Sequence, residues 1–197
     1  MSDTARPVGL IGPNAVLQLV ATVAEVEGRE RAEDLMAAAG IGPLPDGLSM
    51  IPEAEAARLH RVLRQTNPST ARDLAVEAGR RTAEYILANR IPGLVRRGLS
   101  ALPAGLAAQL LARAIARHSW TFAGSGSFRL RGPWSFEIRD NPMIRGEVSA
   151  EPICHWHASV FERLFQELVA PDCRCHETEC CAQPGHKACR FLLIRGA

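Results

Sequence analysis

Apolar positions along the first 118 residues recur at helical spacing. Val16, Leu19, Val20, Val23 and Val26 mark one stripe. Ala32, Leu35, Met36 and Ala39 mark a second, which Gly40 stops. Gly42 to Gly47 is a Pro/Gly loop. Pro52 opens a third helix carrying Leu59, Val62 and Leu63. Asn67-Pro68 reads as a cap followed by a first-turn proline, and the helix after it buries Leu74, Ala78, Thr82, Tyr85 and Ile86. Beyond Ile91-Pro92-Gly93 and Leu102-Pro103, a further helix shows Leu106, Leu110, Leu111, Ala114 and Ile115.

The period then shortens to two. Trp120 to Ala123, Ser127 to Arg131 and Trp134 to Arg139 read as strands separated by Gly/Pro turns. Trp134, Phe136 and Ile138 alternate with Ser135, Glu137 and Arg139, the mark of a half-buried strand. Asn141-Pro142 is a turn. Pro152 opens a helix with Ile153, His157, Val160, Phe161, Leu164, Phe165 and Leu168 on one stripe. Two last strands, about Cys173 to Cys180 and Ala188 to Ile194, flank a Pro184-Gly185 turn. Helices followed by an antiparallel meander with one inserted helix predict an α+β fold. Residues 1–10 are expected to form a flexible N-terminus. Residues 11–197 form one expected domain, helical over 11–118 and sheet plus helix over 119–194.

Composition narrows the function classes. The chain has 197 residues, 47% hydrophobic and 22% charged, with a formal net charge of +2. That is an ordinary globular balance, with no global field pointing to nucleic acid. Met1 to Pro7 lacks an apolar signal core, and no stretch is long and apolar enough to span a bilayer, so a cytoplasmic location is expected. In a reducing compartment six cysteines argue for metal or redox chemistry more than for disulfides.

Four residues gather the metal-ligating chemistry: Cys154, Glu177, Cys180 and Cys189. Zinc takes four ligands from thiolate, imidazole and carboxylate. Glu177 and Cys180 are three apart at a strand end, Cys189 returns on the partner strand, and Cys154 closes the sphere from the side. Cys181 competes for the place of Cys180, and His176 is near enough to join. Cys173 and Cys175 read as spares. Buried thiols acting as small apolar side chains are the bland alternative. The cysteine spacing matches neither common ferredoxin pattern.

The remaining polar groups weigh less. His157 falls on the apolar stripe, where a histidine is usually a satisfied core residue and only sometimes a ligand of a bound metalloporphyrin. His118, at the helix-to-strand junction, has the same two readings. His155 points with Glu162 and Gln166 toward solvent, and His60, His176 and His186 are read as surface residues. Gly124-Ser-Gly126 lacks the third glycine and the following helix of a dinucleotide loop, and reads as a tight hairpin turn. Arg129, Arg131, Arg139 and Arg145 are a solvated strand face or a carboxylate trap.

Three segments carry a resemblance: His118-Ser-Trp120-Thr-Phe122-Ala-Gly124-Ser-Gly126-Ser-Phe128, Asn141-Pro142, and Cys154-His-Trp156-His157-Ala-Ser-Val-Phe161 with Leu164-Phe165. Together they resemble the 4-vinyl reductase domain family, in particular its BchJ-type members of bacteriochlorophyll biosynthesis, from about Ile11 to Ile194. The resemblance implies a zinc-binding tail of one upstream Cys, one Glu and two Cys, which fall here on Cys154, Glu177, Cys180 and Cys189. It implies an α+β fold shared with haem-based gas sensors, a pocket between helices and sheet, and a homodimer. A Mg-porphyrin or chlorophyllide-type tetrapyrrole is the implied ligand. His118, Trp120, Phe122, His157 and Phe161 are the matching residues placed to line its pocket.

The family name implies reduction of a ring vinyl group. Such a reduction needs a hydride donor or electron relay, and the sequence carries no nicotinamide fingerprint. The preferred expectation is therefore an accessory protein that binds the tetrapyrrole and delivers it to pathway enzymes. A true vinyl reductase and a small-molecule sensor domain are the alternatives.

Overall fold

A computed structural model describes residues 9–196. The flexible N-terminus expected at 1–10 lies outside the described residues up to Val8. Leu10 is already in a strand, β1 (Leu10–Ile11), paired antiparallel with β2 (Ile51–Pro52). Sequence reading missed this ribbon, because two residues per strand leave no periodicity.

The helical half contains α1 (Asn14–Val26), α2 (Arg29–Ala38), α3 (Glu53–Thr66), α4 (Ala71–Asn89), α5 (Gly93–Ser100) and α6 (Ala104–Arg117). The first stripe packs as expected except for Val26, which is exposed. Asn67-Pro68 does not open α4. Asn67 caps the end of α3 and its carbonyl accepts the Ala71 N–H at 2.8 Å, so Pro68 sits in a turn before the helix. The segment between two Pro signals, taken as a connection, is the eight-residue α5, which buries none of its residues. In α6 only Leu111 and Ile115 of the expected stripe are buried. The helix is held by Ala107, Ala108 and Ala112, while Leu106, Leu110 and Ala114 face out. Small alanines let the helix lie close to its neighbours, so the buried face is the alanine face rather than the leucine face.

Trp120 to Ala123 is not a strand but a one-turn helix, α7 (Trp120–Ala123). The sheet is β3 (Ser127–Gly132), β4 (Ser135–Arg139), β5 (Arg174–Glu179) and β6 (Ala188–Ile194), all antiparallel in the order β3-β4-β6-β5. A 3₁₀ turn at Pro142–Ile144 follows β4, started by the Asn141 side chain, which accepts the Met143 N–H at 3.1 Å. Helix α8 spans His155–Leu168. It begins three residues after Pro152 rather than at it. The chain is therefore α+β, as the pattern predicts.

Helix α8 is the central element. One flank packs on α4 and the other on the sheet. Trp156, His157, Val160, Phe161, Leu164, Phe165 and Leu168 are all buried along it. The α4 contact is close. Trp156 Nε1 donates to Thr82 Oγ1 at 3.2 Å, and Ser159 Oγ donates to the Val76 carbonyl at 2.6 Å. A Cβ on Gly79 would stand 2.5 Å from the Trp156 carbonyl oxygen, so only glycine permits this approach.

Glu137 departs from the simple alternation of β4. It lies on the outer sheet face yet is shut off from solvent. The cover is guanidinium: Arg139 Nε at 2.7 Å and Arg190 Nε at 3.2 Å, with Arg131 at 4.0 Å. Hydrogen bonding from Arg139 holds its carboxyl below the usual range. The carboxylate these arginines trap thus belongs to the chain itself.

Candidate functional site

The C-terminal cysteines meet at the junction of α8, β5 and β6. One ligand atom each from Cys154, Glu177, Cys180 and Cys189 lies within 4.8 Å of the other three. Local structure explains the convergence. Cys154 is the N-cap of α8, so its side chain sits at the helix mouth. Strand β5 carries a register shift between Glu177 and Glu179, and past the strand end Cys180 is fully buried. Cys189 lies on the inward side of β6, opposite Ile138.

Cys154 Sγ stands 3.5 Å from Cys189 Sγ. The Cys154 backbone N–H donates to Glu177 Oε2 at 2.7 Å, while Glu177 Oε1 is buried with no partner. An orphaned buried carboxylate oxygen beside three thiols is a costly arrangement for an apo site, and fits one that holds a cation. Burial, with the Cys180 charge second, pushes the Glu177 carboxyl up to about 8. Burial also raises the Cys154 thiol. Cys180 is shifted the other way, because hydrogen bonds from Cys154 and Cys189 favour its thiolate. Metal-free, the cluster keeps protons on Cys154, Cys189 and Glu177, and a divalent ion would displace them. Three thiolates and a carboxylate with all four positions filled is the donor set of a closed structural zinc site.

Cys181, the competitor for Cys180, touches the cluster only through Cys189, at 3.3 Å between sulfurs, and stands outside the mutually close four. His176 is exposed and does not join. Cys173 is buried, away from the four.

One participant was missed. Asn141, fully buried, donates from Nδ2 to Cys154 Sγ at 3.3 Å and to Cys189 Sγ at 3.6 Å. It thereby orients two of the sulfurs. Its sequence signal, Asn before Pro, spoke only of a turn.

The five residues expected to line a pocket divide. Phe122, His157 and Phe161 come together between α8 and the sheet. Phe122 and Phe161 have ring centroids 5.6 Å apart, and His157 lies 6.1 Å from Phe122. Phe128, Phe136 and Phe191 complete the layer, with Phe161 5.1 Å from Phe136 and 5.3 Å from Phe191. These rings fill one another's space. His118 is exposed, its Nδ1 2.9 Å from the Ala114 carbonyl, and Trp120 is half-buried at the start of α7. His157 Nε2 lies 3.3 Å from the Phe122 carbonyl, and burial lowers its pKa to about 4, so the imidazole is neutral.

Other histidines correct the surface reading. His60 is buried, its Nε2 3.0 Å from the Ala15 carbonyl, and burial lowers its pKa to about 3. His155 is half-buried, and its supposed companions serve the sheet. Glu162 accepts the Cys175 N–H at 2.8 Å, and Gln166 donates to the Cys173 carbonyl at 3.0 Å. Gly124-Ser-Gly126 links α7 to β3 and is not a hairpin turn. Gly124 has a φ of 51°, and a Cβ there would collide with the Glu53 carboxylate. That carboxylate accepts from Ser125 N at 2.7 Å and Ser125 Oγ at 2.6 Å, with Arg145 at 3.3 Å.

Comparison with known proteins places this arrangement. The bacteriochlorophyll synthase 23 kDa chain of Cereibacter sphaeroides is 54% identical over 187 residues, covering 93% of this chain and 90% of that protein. Its counterpart in Rhodobacter capsulatus is 42% identical over 185 residues, covering 93% and 86%. This chain belongs to their family. Residues 134–195 match the 4-vinyl reductase domain, which takes in β4, α8 and all four clustered ligands. Solved structures of similar fold are H-NOX proteins. One from S. oneidensis in the Fe(II) ligation state aligns with a TM-score of 0.60 at 9% identity, covering 95% of this chain and 97% of that one. An Fe(II) unliganded H-NOX mutant from K. algicida aligns at 0.57 with 10% identity, covering 95% and 97%. At such identity the likeness shows the fold alone.

Proposed function

We propose that the chain serves bacteriochlorophyll biosynthesis as an accessory protein, holding a Mg-porphyrin or chlorophyllide-type tetrapyrrole and delivering it to pathway enzymes. The pathway rests on the two curated relatives and their near-complete overlap with this chain. The single observation that carries the ligand class is the aromatic layer between α8 and the sheet. It is a flat, apolar sandwich with one neutral imidazole in it. The fold's neighbours include proteins whose haem is described as distorted by the protein, which is consistent with a macrocycle in this layer.

The rings touch one another in this structure, so the macrocycle enters by parting them. Phe122 and Phe128 are the half-buried members, at the edge nearest α7, and they are the ones to swing. His157 is the group in reach of a central metal once its contact with the Phe122 carbonyl is released. A zinc ion at the Cys154, Glu177, Cys180 and Cys189 clasp supplies no redox chemistry. It fastens β6 and the end of β5 to the start of α8, and so fixes the floor against which the layer packs.

The test is optical. Titrating Mg-protoporphyrin with the protein shifts and sharpens the Soret band, and Phe161→Ala weakens that response while the clasp still holds zinc. A parent and a variant with the same flat response would remove the proposal. Loss of divinyl substrate on adding NADPH to the same mixture would instead restore the reductase reading.

A further inference from the structure

The net charge of +2 hides an asymmetry. Between Glu84 and Glu137 there are seven arginines and no Asp or Glu, while the rest of the chain carries 16 basic against 21 acidic residues. The segment folds into α5, α6, α7 and β3. Helix α6 packs against α5 and against β3, which is an edge strand, so the charge is gathered on one end of the molecule. Ion pairs are common elsewhere on this protein, yet of these seven arginines only Arg131 reaches a carboxylate, Glu137 at 4.0 Å.

The same end exposes aliphatic side chains. Leu94 on α5 is 77% exposed, with Val95 beside it, and Leu106 and Leu110 on α6 are 46% and 41% exposed. Single exposed leucines are ordinary, but four large aliphatics on two consecutive, touching helices are not. Leu106, Leu110, Arg113 and Arg117 follow one another at spacings of four, three and four. They form a single outward stripe, apolar at its N-terminal end and cationic at its C-terminal end. Arg97 lies three residues after Leu94 on the outer side of α5. Trp120, half-buried, follows the cationic end.

We infer that this end docks on an anionic lipid bilayer, with α5 and α6 lying in the interface, their leucines inserted among the acyl chains and their arginines on the phosphates. Aliphatic tips set among uncompensated cations are the pattern of interfacial amphipathic helices. A protein partner would be expected to offer acidic groups, and to anchor on aromatic side chains seated in a pocket. This face presents neither groove nor aromatic cluster. Each arginine near an anionic surface adds to binding, and salt weakens the whole. The inference does not rest on the tetrapyrrole reading, because vesicles need no pigment.

The experiment is flotation with vesicles of phosphatidylcholine alone and of phosphatidylcholine with phosphatidylglycerol in equal parts. The parent protein is expected to float with the anionic vesicles only, and to be released when salt is raised from about 0.1 M to about 0.5 M. Reversing three exposed charges, Arg97→Glu, Arg113→Glu and Arg117→Glu together, should cut binding at least tenfold. Leu94→Ser with Leu106→Ser should cut it by about tenfold. All these positions are exposed, so thermal midpoints should stay at the parent value, which checks that the variants fold. No flotation with anionic vesicles at low salt would overturn the inference. So would binding that ignores the leucine changes. A protein indifferent to vesicles whose dimer dissociates on charge reversal would also overturn it, assigning the face to a second copy of the chain.

Discussion

Asn141 and Glu177 show what single residues do at the clasp. Asn141 places one amide nitrogen between two sulfurs, while its oxygen holds the backbone turn that brings it there. Glu177 commits one oxygen to the α8 N-terminus and keeps the other free. Zinc analysis of freshly purified protein should find about one ion per chain. Cys189→Ser should abolish most of that, and Asn141→Ala should weaken affinity by about 10–100-fold. Cys173→Ser should leave it near the parent value. Equal loss from Cys173→Ser and Cys189→Ser would show that the ligands have been misassigned. The four ligands were legible in the sequence because thiol and carboxylate chemistry is rare and local. Asn141 was not, since an amide acting through sulfur leaves no spacing to read.

At the scale of elements, legibility followed the length of the repeat. Helix α8 and strand β6 were readable nearly residue by residue, each with an uninterrupted apolar pattern closed by turn residues. Helix α6 was readable as a helix but not by face, because alanines carry the contact and leucines the exposure. Helix α7 was misread as a strand, since four residues rich in aromatics suit either state. Ribbon β1–β2 and helix α5 were invisible for want of periodicity or burial. The α4–α8 contact depends on Gly79, which sequence alone marks only as a weak spot in a helix. Gly79→Ala raises helix propensity but drives a methyl into the Trp156 carbonyl. It should therefore lower stability by about 1–3 kcal/mol, read from urea unfolding midpoints. A stabilised variant would mean that the two helices part freely.

Across the whole molecule, two buried imidazoles tie stability to pH. His60 and His157 lie on opposite sides of Trp156, with ring centroids 6.1 Å and 4.9 Å from it, and both are held neutral by burial. In the unfolded chain each titrates near 6.5, against about 3 and about 4 when folded. Above pH 6.5 neither state binds these protons and stability is full. Below it only the unfolded chain takes them up, so stability falls as pH drops, toward about 4 for His157 and about 3 for His60. The slope reaches about 1.4 kcal/mol per pH unit for each histidine. His60→Gln should flatten the pH dependence between 6.5 and 5 relative to the parent, whatever it does to absolute stability. An unchanged slope would place His60 in water. Among the described residues no helix is long and apolar enough to cross a membrane. The α+β architecture and the family were both within reach of the sequence; the closed packing of the aromatic layer was not, because no pattern of residue types says whether six rings enclose a space or fill it. That layer is the centre of the account, and Mg-protoporphyrin titrated into zinc-loaded protein tests it most directly. The predicted result is a Soret shift that saturates at about one macrocycle per chain and is blunted by Phe161→Ala. A Soret band that stays where it is in buffer, with zinc in place and the protein folded, would contradict it.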